Sequence, residues 1–160
     1  MKAYKTTTVN WAKSQTAIVK MLNQRGIYQT RFTNAENRFA IEFLAKLPDQ
    51  EKPVGVRILV PIIVNFPKTR SGNIEKKYEQ ELNRLHRILF YHLKAKFVAI
   101  DNGLTEFMEE FMPHLIISDG RGNSSTLGQV LLPQYKEQIE SGKQKEFLLL
   151  PETVQVEKEQ

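Results

Sequence analysis

Five cations recur on one side of a long helical stretch. Wound at about 100° per residue, Lys76, Lys77, Arg84, Arg87 and Lys94 fall in an arc roughly 100° wide. Glu75 and Glu79 project toward the apolar edge of the same helix, and only Glu81 flanks the stripe from the other side. A row of that kind suits the phosphates of a nucleic-acid backbone, which cations hold in position without reading the bases. Arg31 and Arg38 bracket a predicted hairpin, Arg57 lies on the strand that follows, and Lys68 and Arg70 occupy the polar entry NFPKTRSGN to the long helix. These ten residues are the candidate nucleic-acid contacts.

Other chemistries find weaker support. His86 and His92 are six apart, on different flanks of one helix and at the border between seam and solvent, while His114 is remote. A zinc site requires folding to bring them together with Glu106, Glu109 or Glu110. The same three glutamates, with Asp101 and Asp119, are the only acids dense enough for a two-metal nuclease, and their spacing suits a solvated helix face equally well. The loop SDGRGN has two turning glycines, Gly120 and Gly122, but neither the lysine and hydroxyl of a Walker loop nor the three glycines of a dinucleotide fingerprint. Phosphate held by its N–H groups and Arg121 is the lesser reading of that loop. Ser124 and Ser125 lack the G-x-S-x-G setting of a nucleophile. The sequence makes no positive case for an enzyme, and no cofactor or metal is expected.

The elements that must position these residues follow from periodicity. NWAKSQTAIVKMLNQRG is predicted as a first helix, capped by Asn10 or Ser14, with Ile18, Met21 and Leu22 as its apolar stripe and Gly26 as its left-handed exit. Trp11 is expected to pack back onto the stripe. The period then changes to two. Tyr28, Thr30 and Phe32 oppose Gln29 and Arg31; Phe39, Ile41 and Phe43 oppose Arg38, Ala40 and Glu42; Val54, Val56, Ile58 and Val60 oppose Arg57. Pro61 suits the end of an edge strand. The long helix begins near Ile74 and offers Tyr78, Leu82, Leu85, Leu89, Leu93, Phe97 and Ile100 as the seam that covers the apolar sheet face. Its cations are thereby left on a face without internal duty.

After a break at Asn102 and Gly103, a further helix is expected with Leu104, Phe107, Phe111 and Met108 or Leu115 inward, ending near Met112 at Pro113. HLII then forms a short buried strand or extended piece, SDGRGNSS a surface loop, and TLGQVLLPQYKEQIESG a last helix, broken or bent at Pro133 and stopped by Gly142. The fold class is therefore α+β: an N-terminal helix, a three-stranded antiparallel meander covered by a long amphipathic helix, and C-terminal helices. In element order alone, helix, meander and helix resembles double-stranded RNA-binding modules. The apolar island Phe147, Leu148, Leu149 and Leu150 is expected to bury against the domain or a protein partner.

The 160 residues fit one domain, expected over residues 1–150, with a basic sheet-plus-helix part (1–100), an acidic helical part (101–150) and a fraying tail (151–160). No cysteine is present, which excludes disulfides and thiolate-ligated metals. No apolar run reaches the 18 or so residues that span a bilayer, and the N-terminus lacks a signal-peptide core, so a cytoplasmic location away from membranes is expected. Residues 1–60 hold ten Lys and Arg against four acids, residues 61–100 eight against three, and residues 101–160 five against eleven. A region so basic prepares a surface for a polyanion.

The function these features support is a non-catalytic nucleic-acid-binding protein that contacts the backbone of DNA or RNA through the helix stripe and the sheet arginines. The alternatives are a protein-interaction or structural adaptor, self-associating through the long helix and the Phe147–Leu150 island as a homo-oligomer, and a small metal-dependent nuclease using the clustered carboxylates.

Overall fold

In a computed structural model of the chain, residues 2–35, 37–63 and 74–142 are described. Lys68, Arg70, the island at 147–150 and the tail at 151–160 lie outside the described residues. Helix α1 (Trp11–Asn23) starts at Asn10, whose side chain accepts from the Ala12 N–H and satisfies one of the open amides of the first turn. It ends where Gly26 takes a positive φ of 76°, turning the chain into the sheet.

Strands β1 (Gln29–Ala35), β2 (Arg38–Ala45) and β3 (Val54–Pro61) form an antiparallel sheet in the order β1-β2-β3. The register aligns Phe32, Ile41 and Ile58 on one face and Arg31, Glu42 and Arg57 on the other. Alternation thus commits Phe39, Ile41, Phe43, Val56 and Ile58 to the core and leaves the arginine row on the open face.

Helix α2 (Ile74–Asp101) and α1 cover the apolar face together, with Ile18, Leu22, Leu89, Leu93 and Phe97 buried between them and the sheet. The buried arc of α2 is displaced from the leucine seam: Asn83 and His86 belong to it, whereas Tyr78, Leu82, Leu85 and Ile100 are only partly buried. The cause is α1. It packs along that flank, its Trp11 N–H donating to Asn83 Oδ1 at 2.7 Å and its Gln15 amide meeting His86 Nε2 at 3.1 Å. Hydrogen bonds make this polar burial tolerable. His86 is 1% exposed and stacks on Phe39 with centroids 3.9 Å apart, a correction to its expected border position. Trp11 is half-buried and tilted against the same imidazole at 5.9 Å.

The C-terminal part is less helical than its periodicity predicts. Helix α3 (Phe107–Phe111) is a single turn, continued by a 3-10 turn (Met112–His114) that accommodates Pro113. Phe111 is fully buried, edge-on to Phe43 at 5.7 Å, but Leu104 is 80% exposed because the chain reaches α3 across the outside of the break at Gly103. Strands β4 (Ile116–Ser118) and β5 (Ser124–Thr126) make a short hairpin. Leu115 bridges Val56, so the hairpin closes the outer edge of β3, where Ile116 lies 3.2 Å from the space a Cβ on Gly55 would fill.

Helix α4 (Leu127–Ser141) follows directly, with a Thr126–Gln129 capping box and Gly142 as its left-handed stop. Gly128 lets α4 begin against the Pro113 carbonyl, since a Cβ there would approach that oxygen to 2.7 Å. Pro133 does not break α4. Gln129, four residues back, is exposed, so the carbonyl left without an amide partner can bond water.

Candidate nucleic-acid interface

The candidate cations divide between two sides of the sheet. Arg31, Arg38 and Arg57 alternate with the core residues and stand on the open face, whereas Lys76, Lys77, Arg84, Arg87 and Lys94 belong to α2, in the helical layer beneath the opposite face. The five described arginines among them do not make one surface.

On the open face Glu42 sits between Arg31 and Arg57 in register across all three strands. Arg57 Nε donates to Glu42 Oε1 at 2.6 Å, and both guanidinium donors of Arg31 that face Glu42 meet its other oxygen. Burial by itself pushes the Glu42 carboxyl up, but the hydrogen bonds and charges of Arg57 and Arg31 together outweigh it and hold the group below its ordinary value. One carboxylate therefore serves two cations. Arg57 is well covered, with 21% of its side chain exposed, and ties the sheet to the hairpin through the Ser124 carbonyl at 3.3 Å and hydroxyl at 2.9 Å. Arg31 is 72% exposed and Arg38 is exposed as well. These groups, with Thr33, Ser124, Ser125 and Gln129, line an open concavity of ≈ 580 Å³. Arginines beside hydroxyls and an amide are the donor set for phosphodiester oxygens. Phe39 is the one aromatic residue of its lining, and its ring is 1% exposed and stacked on His86 on the core side, so the concavity presents no ring for base stacking.

The helix stripe has an internal duty that the wheel does not show. Residues 2–9 cross it as a strap: Gln80 donates to the carbonyls of Lys5 and Thr7 at 3.0 and 3.1 Å, and Tyr4 stacks on Tyr91 at 5.3 Å. Arg84, its side chain 12% exposed, pairs with Glu81 at 2.6 Å and reaches the Ala3 carbonyl at 3.5 Å. That pairing holds Glu81 below its ordinary value, the Arg84 hydrogen bond prevailing over burial. Arg87 donates to the Tyr91 hydroxyl at 2.9 Å and lies over the Phe90 and Tyr91 rings. Lys76, Lys77 and Lys94 remain exposed.

His92, His114 and Glu110 share the neighbourhood of Lys96, and the other acids are engaged elsewhere. Asp101 pairs with Arg25 at 2.5 Å, Glu106 and Glu109 cap α3, and Glu110 accepts from Lys96 at 2.8 Å. Asp119 accepts from the Arg121 and Asn123 N–H groups, so the amides that a phosphate in the SDGRGN loop would need are engaged by its own carboxylate. Among the described residues no three of His, Asp and Glu gather in a metal-holding arrangement, and no helix is long and apolar enough to cross a membrane.

Burial pushes His86 below its ordinary value, the bond to the Leu82 carbonyl only partly opposing it. His92 and His114 are lowered by burial first and then by the nearby Lys96 ammonium. The unfolded chain therefore takes up protons near pH 6.5, before the folded protein does, and stability is complete above that value and declines below it. A urea midpoint that falls between about pH 7 and 5 is the expected result. A flat midpoint contradicts the burial of His86.

The fold defines an α+β protein with a three-stranded sheet backed by two helices. No protein-family model, curated protein or solved structure matches the chain. The likeness to double-stranded RNA-binding modules accordingly extends no further than the order of elements.

Sequence periodicity placed Arg31, Glu42 and Arg57 on one face, and the hairpin register, which pairs Ala35 with Arg38, aligns the first two. It missed Ser124, Ser125 and Gln129, which no local signal connects to a residue 67 positions away. It also missed the strap, because hydrogen bonds to main-chain carbonyls leave no pattern in side-chain type.

Proposed function

We propose that the protein binds nucleic acid without catalysis, taking the phosphodiester backbone on the open face of the sheet. The observation that carries this reading is the Arg31, Arg38 and Arg57 set around a single carboxylate in a concavity rimmed by hydroxyls. The basic first hundred residues add a long-range field that draws a polyanion toward it. Contacts of this kind position a backbone and discriminate little among base sequences, DNA or RNA.

With the helix cations on the other side, one strand meets about two to three phosphates at the sheet, and log affinity against log salt on duplex should slope near −2 to −3. Arg31→Gln with Arg38→Gln should weaken binding to unrelated sequences alike and flatten that slope by about one to two. Lys76→Gln with Lys77→Gln, exposed on the helical side, should leave the sheet contacts in place. Fluorescence anisotropy with labelled duplex and single-stranded probes across a salt series is the measurement. Equal affinity of the wild type and the Arg31/Arg38 variant, or no binding at low salt, defeats the proposal.

A further inference from the structure

We propose that the groove between α1 and the outer edge of β1 receives an extended, acidic polypeptide segment, which adds to the sheet as a fourth strand. This site adjoins the arginine face at Arg31, and the variants that test it lie on α1, outside that face, so its failure and the failure of nucleic-acid binding are distinguishable.

The two edges of the sheet are treated differently. The hairpin closes β3 through the Leu115 bridge to Val56, but β1 pairs with β2 alone, and no described residue hydrogen-bonds to the main chain on its outer side. β1 runs for seven residues in unbroken register with β2, without proline or bulge, the usual devices that blunt an edge. Its one charge, Arg31, is drawn across the open face to Glu42. Outward amides and carbonyls on alternate residues form a row whose natural ligand is another main chain.

Beside that row lies an open groove of ≈ 740 Å³. One whole side of α1 lines it, including Ala12, Gln15, Thr16, Val19 and Lys20, and Phe32 of β1 completes it from the core face of the sheet. A strand added to β1 turns alternate side chains into this groove and the others toward the open face next to Arg31. Apolar residues suit the first set, against Val19 and Phe32.

Charge selects the second set. Residues 1–35 contain six Lys and Arg and no Asp or Glu. Arg31 stands on the open-face side, where the second set points, and the exposed Lys20 adds its charge from the groove side of the same strand. Pairing β1 with β1 of a second copy sets these cations against their own kind, whereas an acidic segment neutralises them. The ligand is therefore a stretch that alternates apolar and acidic residues.

The test uses the full chain and a fluorescein-labelled peptide EVEVEVE, with KVKVKVK and the proline-interrupted EVEPEVE as comparators. Anisotropy should show saturable binding of the acidic peptide and at least about tenfold weaker binding of both comparators. Thr16→Glu with Lys20→Glu, two exposed positions on α1, should weaken EVEVEVE by about tenfold or more without moving the unfolding midpoint. Amide hydrogen exchange reads the pairing directly: alternate β1 amides, fast in the free protein, should slow when the peptide is saturating.

The proposal is overturned by equal binding of KVKVKVK, by an unaffected Thr16/Lys20 variant, or by peptide binding without β1 protection. Protection that rises with protein concentration and no peptide assigns the edge to a second copy. Protection already complete at high dilution, and unchanged by peptide, assigns it to another segment of the same chain. Either result also overturns the proposal.

Discussion

Phe111→Ala is expected to lower the free energy of unfolding by about 3 to 5 kcal/mol, the range for truncating a fully buried aromatic. Phe111 is fully buried at the point where the C-terminal part meets the sheet, with Phe43 edge-on at 5.7 Å and Phe97 and Phe107 at 5.4 and 4.8 Å. The Lys96 ammonium lies 5.5 Å from its ring centre while bonded to Glu110. Removing the ring leaves a cavity among three other aromatics and loosens the one-turn helix that carries Glu110. Collapse is restricted because Phe43 and Phe97 are held by a strand and a long helix. Chemical denaturation gives the value directly. A loss under about 1 kcal/mol would mean that α3 is not part of the core.

Glu42→Gln is expected to move stability and affinity in opposite directions. The substitution keeps the shape of the side chain but removes the charge that balances Arg31 and Arg57, leaving two guanidinium groups with a weaker acceptor. With the Glu42 side chain 13% exposed and that of Arg57 21%, the loss should be about 1 to 3 kcal/mol. The same change raises the net charge of the open face by one and frees donors for phosphate, so nucleic-acid affinity at low salt should rise by roughly tenfold, the scale of one charge a few ångströms from another in a partly screened setting. A merely structural arginine row loses stability on this substitution and gains no affinity, which would sink the proposed interface.

Acid acts on the same group with the same sign. Because the folded Glu42 carboxyl is held below its ordinary value, its stabilising share is complete above about pH 4.5 and is lost as pH falls through the folded pKa. This loss lies on the acid side of the histidine effect, so the two separate along a pH series.

The meander and the long helix were legible because each follows from a period. Alternation in RFAIEF and VGVRILVPI set the two faces of the sheet before any partner was known, and the change to helical spacing after Asn73 marked α2. Caps were legible for the same local reason: Asn10 and Gly142 act within one turn of the elements they bound. The C-terminal part was read less well. Leu104 and the short α3 depend on how Gly103 and Pro113 direct the chain over the existing core, and apolar spacing carries no information about that path.

What the amino-acid order determined by itself is the α+β class, the inward and outward residues of each strand, and a strong excess of cations in the first hundred residues. Tertiary structure alone decided which cations share a surface. It placed Arg31, Arg38 and Arg57 across the sheet from the α2 stripe, drew residues 2–9 over Arg84 and Tyr91, and brought Ser124 to Arg57. The reason is one of range. Periodicity and capping act within a few residues, where backbone geometry dictates direction, whereas long-range pairing between a side chain and a distant carbonyl or carboxylate depends on how whole elements pack, and many partners of equal chemistry compete for each cation until that packing is set.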